Sequence, residues 1–172
     1  MKRQIIYVIM LLCFLHCNAQ VTLDIQNKSV GDFSYPVILP SMQNLMKLVD
    51  CNIDNFKATM QKYKYFPAEG YSGKDFCYNN AHLSFFRPGN NGKGVNTYTF
   101  DSYNHIVTCV ILSDNMWPQG YIANWYASMR PYYTKTDGDS ELFLYETGNA
   151  YYGFTLQIYN EFVRIIVQKF QK

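Results

Sequence analysis

Few side chains in this chain have the company that chemistry needs. Its three histidines are His16, His82 and His105, and no HxxxH or CxxC spacing surrounds them, so no metal site is expected. Asp137-Gly138-Asp139-Ser140-Glu141 sets oxygens at alternate positions, as a calcium loop begins. It stops too soon for the central glycine and distant bidentate glutamate of that loop, and reads as an acidic turn entering a strand. The glycine-rich run Gly89-Asn90-Asn91-Gly92-Lys93-Gly94 joins two strand-like stretches and opens no helix. It therefore lacks the amide nest and dipole that hold phosphate, and is expected to be a hairpin loop. A nucleophile elbow and a Ser-His-Asp order are both missing, and the acidic residues lie mostly in predicted turns. No catalytic residue, cofactor or metal is assigned, and a non-enzymatic protein is expected.

The amino terminus places the chain outside the cytoplasm. Basic Lys2-Arg3, an apolar run from Ile5 to Leu15, and Cys17-Asn18-Ala19 before Gln20 form an export signal, with small residues three and one back from the cut. Cleavage near Ala19 makes residues 1–19 a signal peptide and gives a periplasmic or secreted protein. No later stretch approaches the roughly 20 apolar residues of a spanning helix, so stable membrane insertion is not expected. Of the fifteen basic residues, cleavage removes Lys2 and Arg3, and the thirteen left balance thirteen acidic ones. A neutral chain with scattered lysines argues against nucleic acid as partner. Cys51, Cys77 and Cys109 survive processing. Two could pair in an oxidising compartment, with Cys77 joined to either of the others, or all could be small buried hydrophobes; spacing alone does not choose.

The elements that would position a site come from an internal echo. Asn55-Phe56-Lys57-Ala58-Thr59-Met60-Gln61-Lys62-Tyr63 matches Asn124-Trp125-Tyr126-Ala127-Ser128-Met129-Arg130-Pro131-Tyr132 at an offset of sixty-nine, with four of nine positions identical. From Leu83 onward the match continues at fifty-nine: Phe86 to Tyr145, Gly89-Asn90 to Gly148-Asn149, Phe100 to Tyr159 and Ile106 to Ile165. This predicts an α+β fold of two tandem αβββ repeats, 41–114 and 115–172, forming one antiparallel sheet with helices on one face. Residues 20–40 form an extended lead-in. Ser41 and Asn52 cap two short helices, the second with the stripe Ile53, Phe56, Met60 and Tyr63. Ten extra residues around Tyr65 to Ala81 make a loop in the first repeat. Strands are expected at 82–87, 94–101 and 105–112, and at 141–147, 151–159 and 162–170. Pro131 limits the second helix.

Alternation then separates two sheet faces. Tyr152, Phe154, Leu156 and Ile158 should face the helices, and the fifty-nine offset assigns Leu83, Phe85, Val95, Ile106, Val110, Leu142, Leu144, Val163, Ile165 and Val167 to the same side. The opposite face should show Phe86, Tyr98, Phe100 and His105 from the first repeat, and Tyr145, Gln157, Tyr159, Arg164 and Gln168 from the second. Aromatic and polar side chains mixed on an uncovered sheet suit partner binding, although antiparallel sheets often keep one wet face and tyrosine favours strands.

A tandem of helix and antiparallel strands over about 41–172, exported and neutral, resembles the secreted beta-lactamase inhibitor proteins in layout. The resemblance implies an inhibitor or immunity protein that clasps an exported protein, a toxin or hydrolase, against its sheet. The alternative is a periplasmic or surface binder of glycan or lipid, with Trp117, Trp125 and tyrosines lining an apolar cleft between helix and sheet.

Overall fold

Two polar side chains open the helical part of the molecule where the sequence puts them. Ser41 accepts a hydrogen bond from the Asn44 amide at 3.2 Å, and Asn52 one from the Asn55 amide at 2.8 Å, satisfying donors that a helix start otherwise leaves bare. Helices α1 (Met42–Val49) and α2 (Ile53–Lys62) follow. The structure is a computed structural model and describes residues 21–30, 33–67, 75–78, 97–114, 119–159 and 163–172. Helix α1 buries Leu45, Leu48 and Val49, and α2 buries Phe56 and Met60, each set on one helical stripe. Helix α3 (Gln119–Met129) buries Trp125 and Met129 and tightens into a 3-10 turn over Arg130–Tyr132 that contains Pro131. Phe56 and Met60 thus pack as Trp125 and Met129 do, so the echo between the helices is an echo of packing.

The lead-in is more structured than expected. Strands β1 (Ile25–Val30) and β2 (Phe33–Ile38) pair as an antiparallel hairpin that forms a sheet of its own. Residues 21–24, before it, have no regular structure and are held by helix side chains instead. The Val21 amide donates to Thr59 Oγ1 at 3.2 Å, and the Leu23 amide donates to Tyr63 Oη at 2.7 Å. Tyr63 Oη in turn donates to the Leu23 carbonyl. Asn44, fully buried, accepts from the Asp24 amide and donates to the carbonyls of Asp24 and Leu39. These bonds explain why Asn44 and Thr59 sit inside: buried polar groups persist where they are paired.

Among the described residues the main sheet has eight strands. They are β3 (Tyr65–Pro67), β4 (Asp75–Tyr78), β5 (Thr97–Tyr103), β6 (Ile106–Asp114), β7 (Tyr133–Asp137), β8 (Ser140–Glu146), β9 (Ala150–Ile158) and β10 (Val163–Gln171). Their order across the sheet is β3-β4-β5-β6-β10-β9-β8-β7, with each neighbouring pair antiparallel. Each half of the chain therefore runs as a meander, and the halves meet where β6 pairs with β10. Helix α1 packs on β6 and β10, and α2 on β3 and β6.

The α+β class with antiparallel strands is as the sequence predicts, but the details differ. There are two sheets rather than one, because β1 and β2 stand apart. The stretch 65–81, expected to be a loop, contains β3 and β4, anchored by the fully buried Tyr65 and the nearly buried Phe76. The strand expected at 82–87 lies outside the described residues, as do Leu83, Phe85, Phe86 and Val95.

Register aligns the core into rows. On the helix side, Tyr133, Phe143, Phe154, Val167, Val110 and Phe100 form one row, and Glu141, Leu156, Ile165, Leu112, Tyr98 and Phe76 the next. Each large apolar side chain buried here is worth about 1.5–3 kcal/mol before entropy. The phase of β8 is opposite to the expectation: Phe143 points at the helices, while Leu142 and Leu144 point away. Three apolar residues in a row fit either phase. Edge-to-face contacts of Phe143 with Trp125, Tyr126 and Tyr133, at centroid distances of 5.8, 6.0 and 5.9 Å, favour the larger ring inside. Ile106 and Ile158, also expected inside, are 49% and 56% exposed at strand ends.

Candidate functional site

The face away from the helices is built from the alternate residues of the same strands. One cross-strand row runs Ser140, Gln157, Arg164. The next runs Leu142, Thr155, Ile166, Ile111, Thr99. A third runs Leu144, Gly153, Gln168, Cys109, Asp101, and a fourth Glu146, Tyr151, Phe170. A polar row thus borders rows in which apolar and polar side chains are mixed. Phe170 leans across its neighbour row: a Cβ on Gly153 would lie 3.3 Å from Phe170 Cε2. Leu144 and Phe170 are 46% and 50% exposed, and Tyr159 37%.

Three of the expected binding residues share this face and touch one another. Gln157 donates through Nε2 to Ser140 Oγ at 2.9 Å, and Tyr159 Oη donates to Gln157 Oε1 at 3.2 Å. The Arg164 guanidinium lies over the Tyr159 ring, 5.9 Å from its centroid, a cation–π contact.

Four others are elsewhere, and Phe86 lies outside the described residues. Tyr98 and Phe100 are core residues, 0% and 4% exposed. Tyr98 meets Tyr65 edge to face at 5.3 Å, and Phe100 meets Phe56 at 4.9 Å. Tyr145 is also on the helix side, packed at 5.0 Å against Tyr132. His105 is on neither face. With Asn104 it forms the β5–β6 turn, both at positive φ (65° and 48°), as a tight hairpin requires. Its carbonyl accepts from the Ile53 amide and its Nε2 lies 2.9 Å from Asp54 Oδ2, so the turn is tied to the start of α2.

For Tyr98 and Phe100 the cause is the repeat offset, and for Tyr145 it is the reversed phase of β8. The fifty-nine offset equates Phe100 with Tyr159 and Tyr98 with Gln157, but the helix-facing residues are the even-numbered ones in both β5 and β9, so this offset crosses from one face to the other. In a pleated strand an odd shift exchanges the faces. A register irregularity between Asp101 and Ser102 changes the phase again before the turn. The residues missed by the reading, Leu144, Phe170, Ile166 and Ile111, had a signal in alternation alone, but it needed strand pairing to choose the face.

A second feature lies on the helix side, where the sheet runs past α1. Thr147, Asn149, Ala150, Tyr152, Lys169 and Gln171 line an open cleft of about 560 Å³. Tyr152 Oη donates to both Asp50 oxygens, at 3.0 and 2.9 Å, and Lys169 Nζ lies 2.7 Å from Asp50 Oδ1. Burial, then Asp50, pushes the Tyr152 phenol up to about 12, so it is a donor rather than a base. The cleft is polar, unlike the apolar pocket expected for a lipid. Trp125 is 4% exposed within the core, and Trp117 lies outside the described residues.

Cys51 and Cys109 are free thiols and buried. Burial foremost pushes both up to about 11, with Asp50 adding to the first and Asp101 to the second. Among the described residues no group of three or more His, Cys, Asp or Glu could hold a metal ion, and no helix is long and apolar enough to cross a membrane. No protein-family model, curated protein or solved structure matches the chain.

Proposed function

We propose that this chain is an exported, non-enzymatic binding protein of inhibitor or immunity type, and that it engages an exported protein partner, a toxin or hydrolase, through the sheet face away from the helices. The observation that carries the reading is the exposure of Leu144, Tyr159 and Phe170 on the face that also presents Arg164 stacked on Tyr159. Apolar anchors beside a polar, arginine-bearing margin are the composition of a protein-recognition patch. In this reading the two meanders, each led by a helix with the same buried pair, are tandem copies of one unit that together widen the face. Export follows from the signal at residues 1–19.

The test is a folded variant carrying Leu144→Ser, Tyr159→Ala and Phe170→Ser. It should keep the native circular dichroism spectrum and lose capture of the partner that the parent retains from envelope extract, in both the extract and a reconstitution with the purified partner. Undiminished capture by the folded variant removes the reading. Tyr98, Phe100 and Tyr145 are unsuitable for this experiment, since replacing core rings tests stability.

A second reading has its own observation. The polar cleft beside Tyr152, Lys169 and Gln171 suits a glycan better than a lipid, because hydroxyls need fixed donors and acceptors. Oligosaccharide should then raise the melting temperature of the parent and not of Gln171→Ala; no shift with a broad glycan set discards it.

A further inference from the structure

The two edges of the main sheet are unlike. Edge strands invite pairing and are commonly blunted by shortness, proline or unopposed charge. Strand β3 is three residues long and ends in Pro67. Strand β7, at the other edge, has five residues, all exposed. It carries a lysine, the usual repellent, but Lys135 is answered by Asp137 two positions on, with Nζ 3.8 Å from Oδ2. Both side chains belong to the uncovered face, since Lys135 pairs with Leu142 and Asp137 with Ser140.

Among the described residues, the hairpin fixes which backbone groups of β7 are spare. Asp137 and Ser140 flank a two-residue loop whose first member, Gly138, has φ +58°. Such a closing pair exchanges both of its backbone bonds. By the alternation of an antiparallel ladder, the N–H and C=O of Thr136 then point away from β8 toward the open edge.

We propose that β7 pairs with β7 of a second copy of this chain, antiparallel and centred on Thr136. With Thr136 opposite Thr136, Lys135 of each copy lies opposite Asp137 of the other. The two cross-strand pairs are then both of opposite charge, and the central pair is threonine with threonine, a combination favoured across strands. Any one-residue slip loses these matches. The central backbone pair supplies the spare donor and acceptor of each Thr136 with a partner. The pairing joins two eight-stranded sheets edge to edge with their uncovered faces on the same side, so it doubles the surface proposed above without depending on that proposal.

Sedimentation equilibrium of the mature chain, without added partner, tests the pairing. The parent should show twice the monomer mass. Lys135→Asp places like charges opposite each other twice and should weaken the dimer about tenfold or more. Lys135→Asp combined with Asp137→Lys should restore it. Thr136→Pro removes an N–H that the β8 ladder does not use and should give a folded monomer; if that variant fails to fold, the charge variants still decide. A parent that stays monomeric to its solubility limit overturns the proposal, including the case in which the open edge takes a strand from some other protein. So does a dimer indifferent to the edge substitutions, or a double exchange that fails to restore it. Failure here leaves partner capture by a monomer untouched, and the loss of capture by the face variant leaves the dimer untouched.

Discussion

Asn44 shows how one side chain can stand in for a strand. Its amide bonds both backbone groups of Asp24 and the Leu39 carbonyl, so Asn44→Ala would leave the Asp24 amide without its acceptor, while the two carbonyls keep the amides of Leu39 and Ser41. Urea titration should show a loss of about 1–3 kcal/mol, and one of similar size for Tyr63→Phe, which removes both bonds to Leu23 but leaves the ring in place. The thiols make a second prediction at this scale. Cys51 and Cys109 hold their protons to about 11 in the folded chain, against 9.0 ordinarily. A thiolate, not a thiol, attacks a disulfide reagent. In a Cys77→Ser background, aromatic disulfide reagents at pH 8 should label neither thiol until denaturant is added. The linkage has a definite sign. Groups whose folded pKa is raised contribute stability that is complete below the unfolded value and lost as pH rises through the folded one. With Tyr152 raised to about 12 in the same sense, the urea midpoint should fall from pH 9 upward, and less steeply in Cys51→Ala.

Among the elements, helix starts and strand phase behave differently. The caps at Ser41 and Asn52 are local: each is one oxygen reaching an amide three residues on. Ser41→Ala and Asn52→Ala should each cost about 1 kcal/mol in urea titration, and both positions are legible from the sequence because the geometry lies within four residues. Strand phase is not local. Phe143 and Leu144 are adjacent apolar residues, and which one turns inward depends on rings brought from α3 and β7. Gly153 reports on the outer phase. A methyl there meets the Phe170 ring at 3.3 Å, so Gly153→Ala should displace the ring, visible as changed Phe170 chemical shifts, while the core row containing Phe154 keeps its own.

At the scale of the molecule, the β6–β10 pairing makes two meanders into one body. The row from Phe143 through Phe154, Val167 and Val110 to Phe100 crosses that seam without a break, so the halves share a core. Thermal unfolding should be a single transition by fluorescence and by far-ultraviolet dichroism. Phe154→Ala, a fully buried ring beside the seam, should cost about 3–5 kcal/mol and lower both signals together. Transitions that separate by probe would mean that the halves unfold independently.

The amino-acid sequence by itself determined the helix starts, the buried stripe shared by Phe56 and Met60 with Trp125 and Met129, and the antiparallel α+β class, because these follow from spacings of a few residues. It also placed Gln157, Tyr159 and Arg164 on one face, since β9 and β10 alternate regularly. Tertiary structure decided the rest. It drew Tyr98, Phe100 and Tyr145 into the core, tied His105 into a turn, made strands of 65–67 and 75–78, and left Leu144 and Phe170 outside. A side-chain period of two makes every such outcome hinge on a single residue of register, and register is set by partners distant in the chain.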